Sequence, residues 1–457
     1  MNIFQLPKKA EEHFNKRAKE FLYKLRPVNL NSNNKIILPK TSQSEEFAIQ
    51  INKKDIINLR TTGQFDQFGN KIVSCFPSKQ GYVGLDGNDL KEFLNFIETL
   101  SIRKELRDLL CYKFLQETTF KWFEKVYNGE IKSQNNYTDY LHSEIKLNVK
   151  ERKISIPILH LSLEKSFIIG NIQFEVFSKK FFDLWEQSLN KCKKDNSKML
   201  TKVRQNYQGV VFASLKAFAD KNKCIEIAKQ ETERSLMILR IFSPTILYSS
   251  EFQFYYGRKG HVYLPSNYYF IFEDEFPQQY AMTDVKSNYK RVIYNKELEI
   301  LKQYGFVVAS NLLKKKNLTD MEELLLKTMN LFSRSIITEN FEDKIVFSLV
   351  SIETLLLKNT SEPIQYSIGK RLAFLISNTP KERKKTDKLV KEAYKLRSNY
   401  IHHGNESTNI KIIEKLRFQI FIAISKILLS INHIKTQEQL LEKIENKIWG
   451  SDRYNGL

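Results

Sequence analysis

Phe341-Glu342-Asp343-Lys344-Ile345-Val346-Phe347-Ser348-Leu349-Val350-Ser351-Ile352-Glu353-Thr354-Leu355-Leu356 repeats its apolar residues at the helical period. Ile345, Leu349, Ile352 and Leu356 fall on one face, and Glu353 falls on that same face, four after Leu349 and three before Leu356. A carboxylate in an apolar stripe needs a partner, because an uncompensated buried charge costs on the order of several kcal/mol. The next helical segment, residues 365–378, places Arg371 inside an apolar face made by Ile368, Leu372 and Leu375. The expectation is a buried Glu353–Arg371 ion pair, either a fold-specifying contact or part of an active site.

Working outward, the last third of the chain is all helical. Amphipathic helices are predicted near 293–316, 320–337, 341–358, 365–378, 386–402 and 409–433. The residues before 290 read differently. Short runs such as Phe47–Ile51 and Ile72–Phe76, punctuated by Gly, Pro and Asn, suggest small strands. Leu90, Phe93, Phe96, Leu100, Leu106, Leu109, Leu110 and Phe114 suggest two helices over 89–127. Alternation at Ile145, Leu147 and Val149, at Ile154, Ile156 and Ile158, and at Ile172, Phe174 and Val176 predicts strands. A strand over Val211–Ala217 leads into a helix that Pro244 stops. The fold class is therefore α+β: a mixed α/β region over 1–290, with a candidate internal break near 130–205, and an all-α domain over 291–457.

The 457 residues exceed what one core usually organises, and the composition is that of a folded protein: 42% hydrophobic, 27% charged, 15 Gly and 10 Pro. Four dispersed cysteines, Cys75, Cys111, Cys192 and Cys224, form no CxxC pair and no zinc-ligand spacing, which fits a reducing compartment and no metal. No run approaches the length of a membrane span. Residues 8–25 are amphipathic and basic, as a transit peptide is, but Glu11, Glu12 and Glu20 argue against that reading. The net charge of +21 suits a polyanionic partner. A solvated surface on a Lys-rich composition explains the same number.

The segment Leu396-Arg397-Ser398-Asn399-Tyr400-Ile401-His402-His403-Gly404 carries the chemistry. A guanidinium can brace the charge of a phosphodiester under attack while an imidazole moves a proton near neutral pH. Arg397 and His402 stand five residues, about 140°, apart on an unbroken helix. Either the helix ends at Ile401, as Gly404 suggests, or a working site draws on two chains.

Ser351-Ile352-Glu353-Thr354-Leu355-Leu356, Gly369-Lys370-Arg371-Leu372-Ala373-Phe374-Leu375 and Leu396–Gly404 together resemble, in order and spacing, the three signatures of Apea-like HEPN domains, over roughly residues 320–435. The resemblance implies a helical bundle that forms a homodimer, with the Arg-x-x-x-x-His motifs of two protomers facing across a cleft that cuts RNA. The 2′-hydroxyl is then the nucleophile and neither metal nor cofactor is needed. By the same resemblance His402 transfers the proton, Arg397 holds the phosphate and Ser398 or Asn399 orients them. His403 is the competing histidine, and Glu353 and Arg371 support the site.

Lys381, Arg383, Lys384 and Lys385, just before the motif, are candidates for RNA contact. So are Arg258 and Lys259, set among aromatic residues in 252–270 at a predicted hairpin tip. The setting that the resemblance implies is a cytoplasmic, regulated toxic effector of anti-phage defence. Its substrate would be RNA, with transfer RNA one candidate, and its trigger phage-derived. The competing expectations are a non-catalytic dimeric module that binds nucleic acid or a nucleotide, and a sensor subunit of a larger complex.

Overall fold

A computed structural model describes residues 6–28, 62–65, 71–78, 81–132, 136–158, 161–191, 197–243, 269–272, 277–281, 291–338, 340–359, 361–403 and 409–450. Phe47–Ile51, Pro244, Gly404, and the predicted hairpin tip with Arg258 and Lys259 lie outside the described residues. The chain forms two units, one of residues Met1–Arg152 with Ala217–Glu226, the other of Lys153–Lys216 with Ile227–Leu457. The change from mixed to purely helical sequence near 290 falls inside the second unit. Periodicity marks where the kind of element changes, whereas the units mark where contacts thin out.

In the first unit α1 (Lys8–Lys24) is followed by strands β1 (Arg26–Pro27), β2 (Thr62–Phe65), β3 (Lys71–Ser78) and β4 (Gly81–Asp86) and by helices α2 (Gly87–Ser101), α3 (Tyr112–Tyr127) and α4 (Tyr137–Asn148). The strands form an antiparallel sheet in the order β1-β4-β3-β2. Its helices pack on aromatic residues: Phe21 of α1 lies 5.7 Å from Phe93 and 5.6 Å from Phe96 of α2, centroid to centroid, and Phe93 lies 4.9 Å from Phe120 of α3. The amphipathic stretch at the start of the sequence is thus a core helix. The strand predicted at Ile145 and Leu147 is not formed. Those residues end α4, whose buried Tyr137, Leu141 and Ile145 recur every four residues, while Leu147 is 73% exposed. Ile145 and Val149, four residues apart, fit the helical period as well as the alternating one, and tertiary burial of the helical set decides between them.

A six-stranded sheet has the order β11-β10-β5-β9-β8-β7, where β5 is Lys150–Ile158, β7 Phe167–Ile169, β8 Ile172–Val176, β9 Val211–Ala219, β10 Tyr269–Phe272 and β11 Pro277–Ala281; all of it except Lys150–Arg152 and Ala217–Ala219 falls in the second unit. Strand β6 (Leu161–Leu163) pairs in parallel with β12 (Arg291–Ile293). Helices α5 (Lys179–Lys191), α6 (Ser197–Tyr207) and α7 (Lys221–Ile241) belong to this β-rich stretch. The alternation over 154–158, 172–176 and 211–217 and the helix after it are as the sequence predicts.

From α8 (Asn295–Lys302) onward the chain is helical: α9 (Phe306–Leu312), α10 (Asp320–Ile337), α11 (Phe341–Leu356), α12 (Ile364–Ile376), α13 (Pro380–His403), α14 (Ile410–Ser430) and α15 (Gln437–Trp449). One continuous apolar core joins Met321, Leu325, Leu349, Ile352, Leu372, Val390, Leu416 and Ile424 from five of these helices. The helix predicted over 293–316 is two, because Gly305 turns at φ 90° and sits so close to Leu428 that a Cβ would fall 2.7 Å from the leucine Cβ. Among the described residues no helix is long and apolar enough to cross a membrane.

Candidate active site

Two helix ends frame the site. Helix α11 begins where Asn340 Oδ1 accepts from the backbone N–H of Glu342 at 2.9 Å and of Asp343 at 3.5 Å. At its other end Arg371 Nη1 donates to Leu356 O at 2.8 Å, and Gln437 Nε2 reaches the carbonyls of Thr354, Leu355 and Leu357 at 3.2, 3.1 and 3.0 Å. Carbonyls that a helix leaves unpaired are thereby satisfied by side chains from α12 and α15. Helix α13 starts with a reciprocal cap: Thr379 Oγ1 accepts from Glu382 N–H at 3.3 Å and Glu382 Oε2 from Thr379 N–H at 3.4 Å. The Thr379 hydroxyl, then its backbone N–H, hold the Glu382 carboxyl below the usual carboxylate range. Gly369 lets α12 and α13 approach closely, since a Cβ there would meet Asp387 Oδ1 at 2.5 Å.

Near the end of α13 the side chains of Tyr394 and Arg397 converge on one oxygen. Tyr394 Oη donates to Glu353 Oε1 at 2.8 Å and Arg397 Nη1 donates to the same atom at 2.6 Å. The Glu353 and Arg397 side chains are 16% and 28% exposed, so the pair is neither sealed nor fully solvated. Burial, then the adjacent Glu353 charge, push the Tyr394 phenol well above its ordinary range, and it stays a protonated donor. Glu353 is thus an anionic anchor that fixes one end of the Arg397 guanidinium.

The expected Glu353–Arg371 pair is therefore a correction. Arg371 is buried, but it pairs with Glu362 Oε2 at 2.6 Å through Nη1 and with Glu445 Oε1 at 3.1 Å through Nη2. Helical periodicity rightly places each charge on an inward face; it does not select the partner. Glu362 lies in the short connection before α12 and Glu445 in α15, both nearer the guanidinium. Arg371 closes the end of α11 rather than meeting the Glu353–Arg397 cluster.

Ser398 and Asn399 do not join that cluster. Ser398 is exposed and Asn399 half-buried, and among the described residues neither bonds Arg397. Helix α13 continues through His403, so the alternative in which it ends at Ile401 is not what forms. Positions 402 and 403 lie about 140° and 120° around the axis from position 397, on opposite sides of it. Of the candidate RNA contacts, Lys381, Lys384 and Lys385 are exposed. Arg383 is built into the fold: its guanidinium carbon sits 4.0 Å from the Phe374 ring centroid and its Nε donates to Ser377 O at 3.2 Å.

Sequence reasoning missed Tyr394, Glu362, Gln437 and Glu445. Tyr394 carried a legible signal, one turn before Arg397 and so able to reach the same neighbour. Glu362 lies outside any helix, and although Leu440, Leu441, Ile444 and Ile448 give α15 a helical period, that period does not tell that Gln437 and Glu445 reach α11 and α12. Among the described residues no group of three or more His, Cys, Asp or Glu side chains stands close enough to hold a metal ion. No family model, no curated protein and no solved structure matches the chain.

Proposed function

We propose that the chain is a metal-independent RNA endonuclease of the Apea-like HEPN kind, working as a homodimer whose site takes Arg397 from one copy and the motif histidine from the other. The observation that carries this reading is the anchoring of Arg397. Its Nη1 is committed to Glu353, while among the described residues Nε and Nη2 have no acceptor and remain free for a phosphate. A guanidinium already held in place loses little freedom when it braces a phosphorane.

In this reading the RNA 2′-hydroxyl attacks the adjacent phosphorus and its proton passes to the imidazole at 402 or, as the competing choice, 403. The P–O5′ bond breaks and the departing oxygen takes a proton. The products are a 2′,3′-cyclic phosphate and a 5′-hydroxyl; water and metal take no part. Glu353 and Tyr394 act as positioning residues for Arg397. Because position 402 lies about 140° around α13 from position 397, a second copy is the simplest source of the missing group.

The setting that suits such an enzyme is the cytoplasm of a cell defending itself against phage. The residues before the bundle hold the nuclease in check until a phage-derived trigger arrives. Transfer RNA is one candidate target. The same angular separation also favours a second reading, a dimeric module that grips nucleic acid without cutting it, in which Glu353–Arg397 is only a structural pair.

Incubation with mixed RNA in EDTA separates the two. The enzyme cleaves to 5′-hydroxyl ends, spares DNA, and loses about 10²–10⁴-fold with His402→Ala. A protein that binds RNA but leaves it whole in every form excludes the nuclease.

A further inference from the structure

Helix α13 carries a second pattern that the Glu353 cluster does not use. At 100° per residue, Lys384, Lys388, Lys391, Lys395, Ser398 and position 402 lie within about 40° of a single line along the helix. The four lysines and Ser398 are exposed, and Thr386, Leu389, Val390 and Ala393, on the far side, are buried. The helix's carboxylates avoid the line: Asp387, Glu392 and Glu382 stand about 60°, 80° and 160° away. Lys391 Nζ meets Asp387 Oδ2 at 2.7 Å and Lys388 Nζ meets Glu392 Oε1 at 3.9 Å, solvent-facing pairs of a kind that is weak. Lys384 and Lys395 have no ion-pair partner among the described residues.

We propose that this ridge is a docking track for single-stranded RNA, which follows the lysines through its phosphates and is led to position 402. Successive lysines rise by about 6, 4.5 and 6 Å, and the whole row from Lys384 to position 402 spans about 27 Å. A row one residue wide matches a linear polyanion. A membrane surface calls for apolar side chains beside the cations, and the line from Lys384 to Ser398 holds none. Phosphate contacts carry no base information, so the track binds without sequence preference. What happens to the strand at position 402 rests on the nuclease reading; the track itself does not.

The test uses the full chain with His402→Ala, so that substrate survives, and a fluorescein-labelled oligouridylate whose affinity is read by anisotropy across a salt series. Combining Lys384→Gln, Lys388→Gln, Lys391→Gln and Lys395→Gln should flatten the slope of log affinity against log salt by up to about 3, at about 0.7 per lost contact on a single strand. A control removes the same charge elsewhere, with Lys8→Gln, Lys9→Gln, Lys104→Gln and Lys146→Gln, all exposed. It should keep at least three quarters of the original slope. An unchanged slope in the ridge variant overturns the track. So does an equal loss in the control, which would assign binding to bulk charge, or a ridge variant that keeps RNA but loses phosphatidylserine vesicles. If the wild type never cleaves RNA yet the ridge effect holds, the track stands and the nuclease falls; if it cleaves and the ridge is silent, the reverse.

Discussion

Arg397 donates through Nη1 to Glu353 Oε1 at 2.6 Å and so ties the end of α13 to the end of α11 across 44 residues of chain. Both side chains are mostly shielded, and the Tyr394 hydroxyl shares the same oxygen. A charge-assisted bond of this kind is stronger than a neutral one. Glu353→Gln should therefore destabilise the fold by about 1–3 kcal/mol in urea unfolding. Double-mutant cycles of Glu353→Gln with Arg397→Met should return a coupling above about 0.5 kcal/mol. Simple additivity of the two would mean that the contact does not form in solution.

Tyr394 separates positioning from packing. Tyr394→Phe keeps the ring and removes one donor, at a cost of about 1–2 kcal/mol. If the nuclease reading is right, the freed Glu353 oxygen lets Arg397 swing, and kcat falls while KM for RNA holds within about twofold, since a merely structural loss would leave both near wild type once folding is controlled. A rise in KM with unchanged kcat would contradict the positioning role.

The three groups around Arg371 differ in burial, and that ranks their substitutions. Arg371 and Glu362 have side chains 10% and 15% exposed, while Glu445 is 44% exposed. Arg371→Ala strips Leu356 O and two carboxylates of a buried partner and should cost about 3–5 kcal/mol. Glu445→Ala, at the solvent edge, should cost below about 1 kcal/mol. Thermal or urea unfolding that ranks Glu445→Ala as equal to Arg371→Ala would refute this account of how α11 is closed.

The helices around this arginine were legible because several independent signals agreed. The apolar period of α10 and α11 is visible in the sequence, and the structure adds to it the Thr319–Glu322 capping box that begins α10 and the Asn340 cap of α11, so period and caps agree. What was illegible was pairing at a distance. Glu445 lies 74 residues from Arg371, and Tyr394 lies 41 residues from Glu353. No pattern within a helix encodes which of several inward charges will meet another. The short alternation at Ile145 and the helix broken at Gly305 failed for a related reason: in each a local pattern supported two conformations, and a neighbour far along the chain chose.

Acid sensitivity follows from Glu322. Burial alone would raise its carboxyl, but the hydrogen bonds from Lys315 Nζ at 2.5 Å and from the Thr319 backbone at 3.0 Å outweigh it and hold the group below the usual carboxylate range. The unfolded chain therefore binds the proton more readily than the folded one. The stabilisation is full above the ordinary glutamate value of about 4.3 and is lost as pH falls through the lower folded value. Glu322→Gln, which still offers Thr319 an acceptor, should be less stable than wild type at pH 7, and the gap should close as pH falls from about 5 to 3. A gap that stays constant over that window would assign the loss to packing.

Composite chemistry makes the last prediction arithmetical. Arg397→Ala and His402→Ala are each expected to be inactive alone. If a site takes its arginine from one copy and its histidine from the other, a mixed dimer of the two variants regains one intact site of two. Random pairing makes half of all dimers mixed, so an equal co-expressed mixture should recover about a quarter of wild-type cleavage. A site built within one copy regains nothing, because each chain then lacks one member of its own pair. The angle of about 140° between positions 397 and 402 on one continuous helix argues for the first outcome. Two differently tagged variants, purified as the mixed species and assayed with RNA in EDTA, decide between the two; an inert mixed dimer would exclude the shared site even if wild type cleaves.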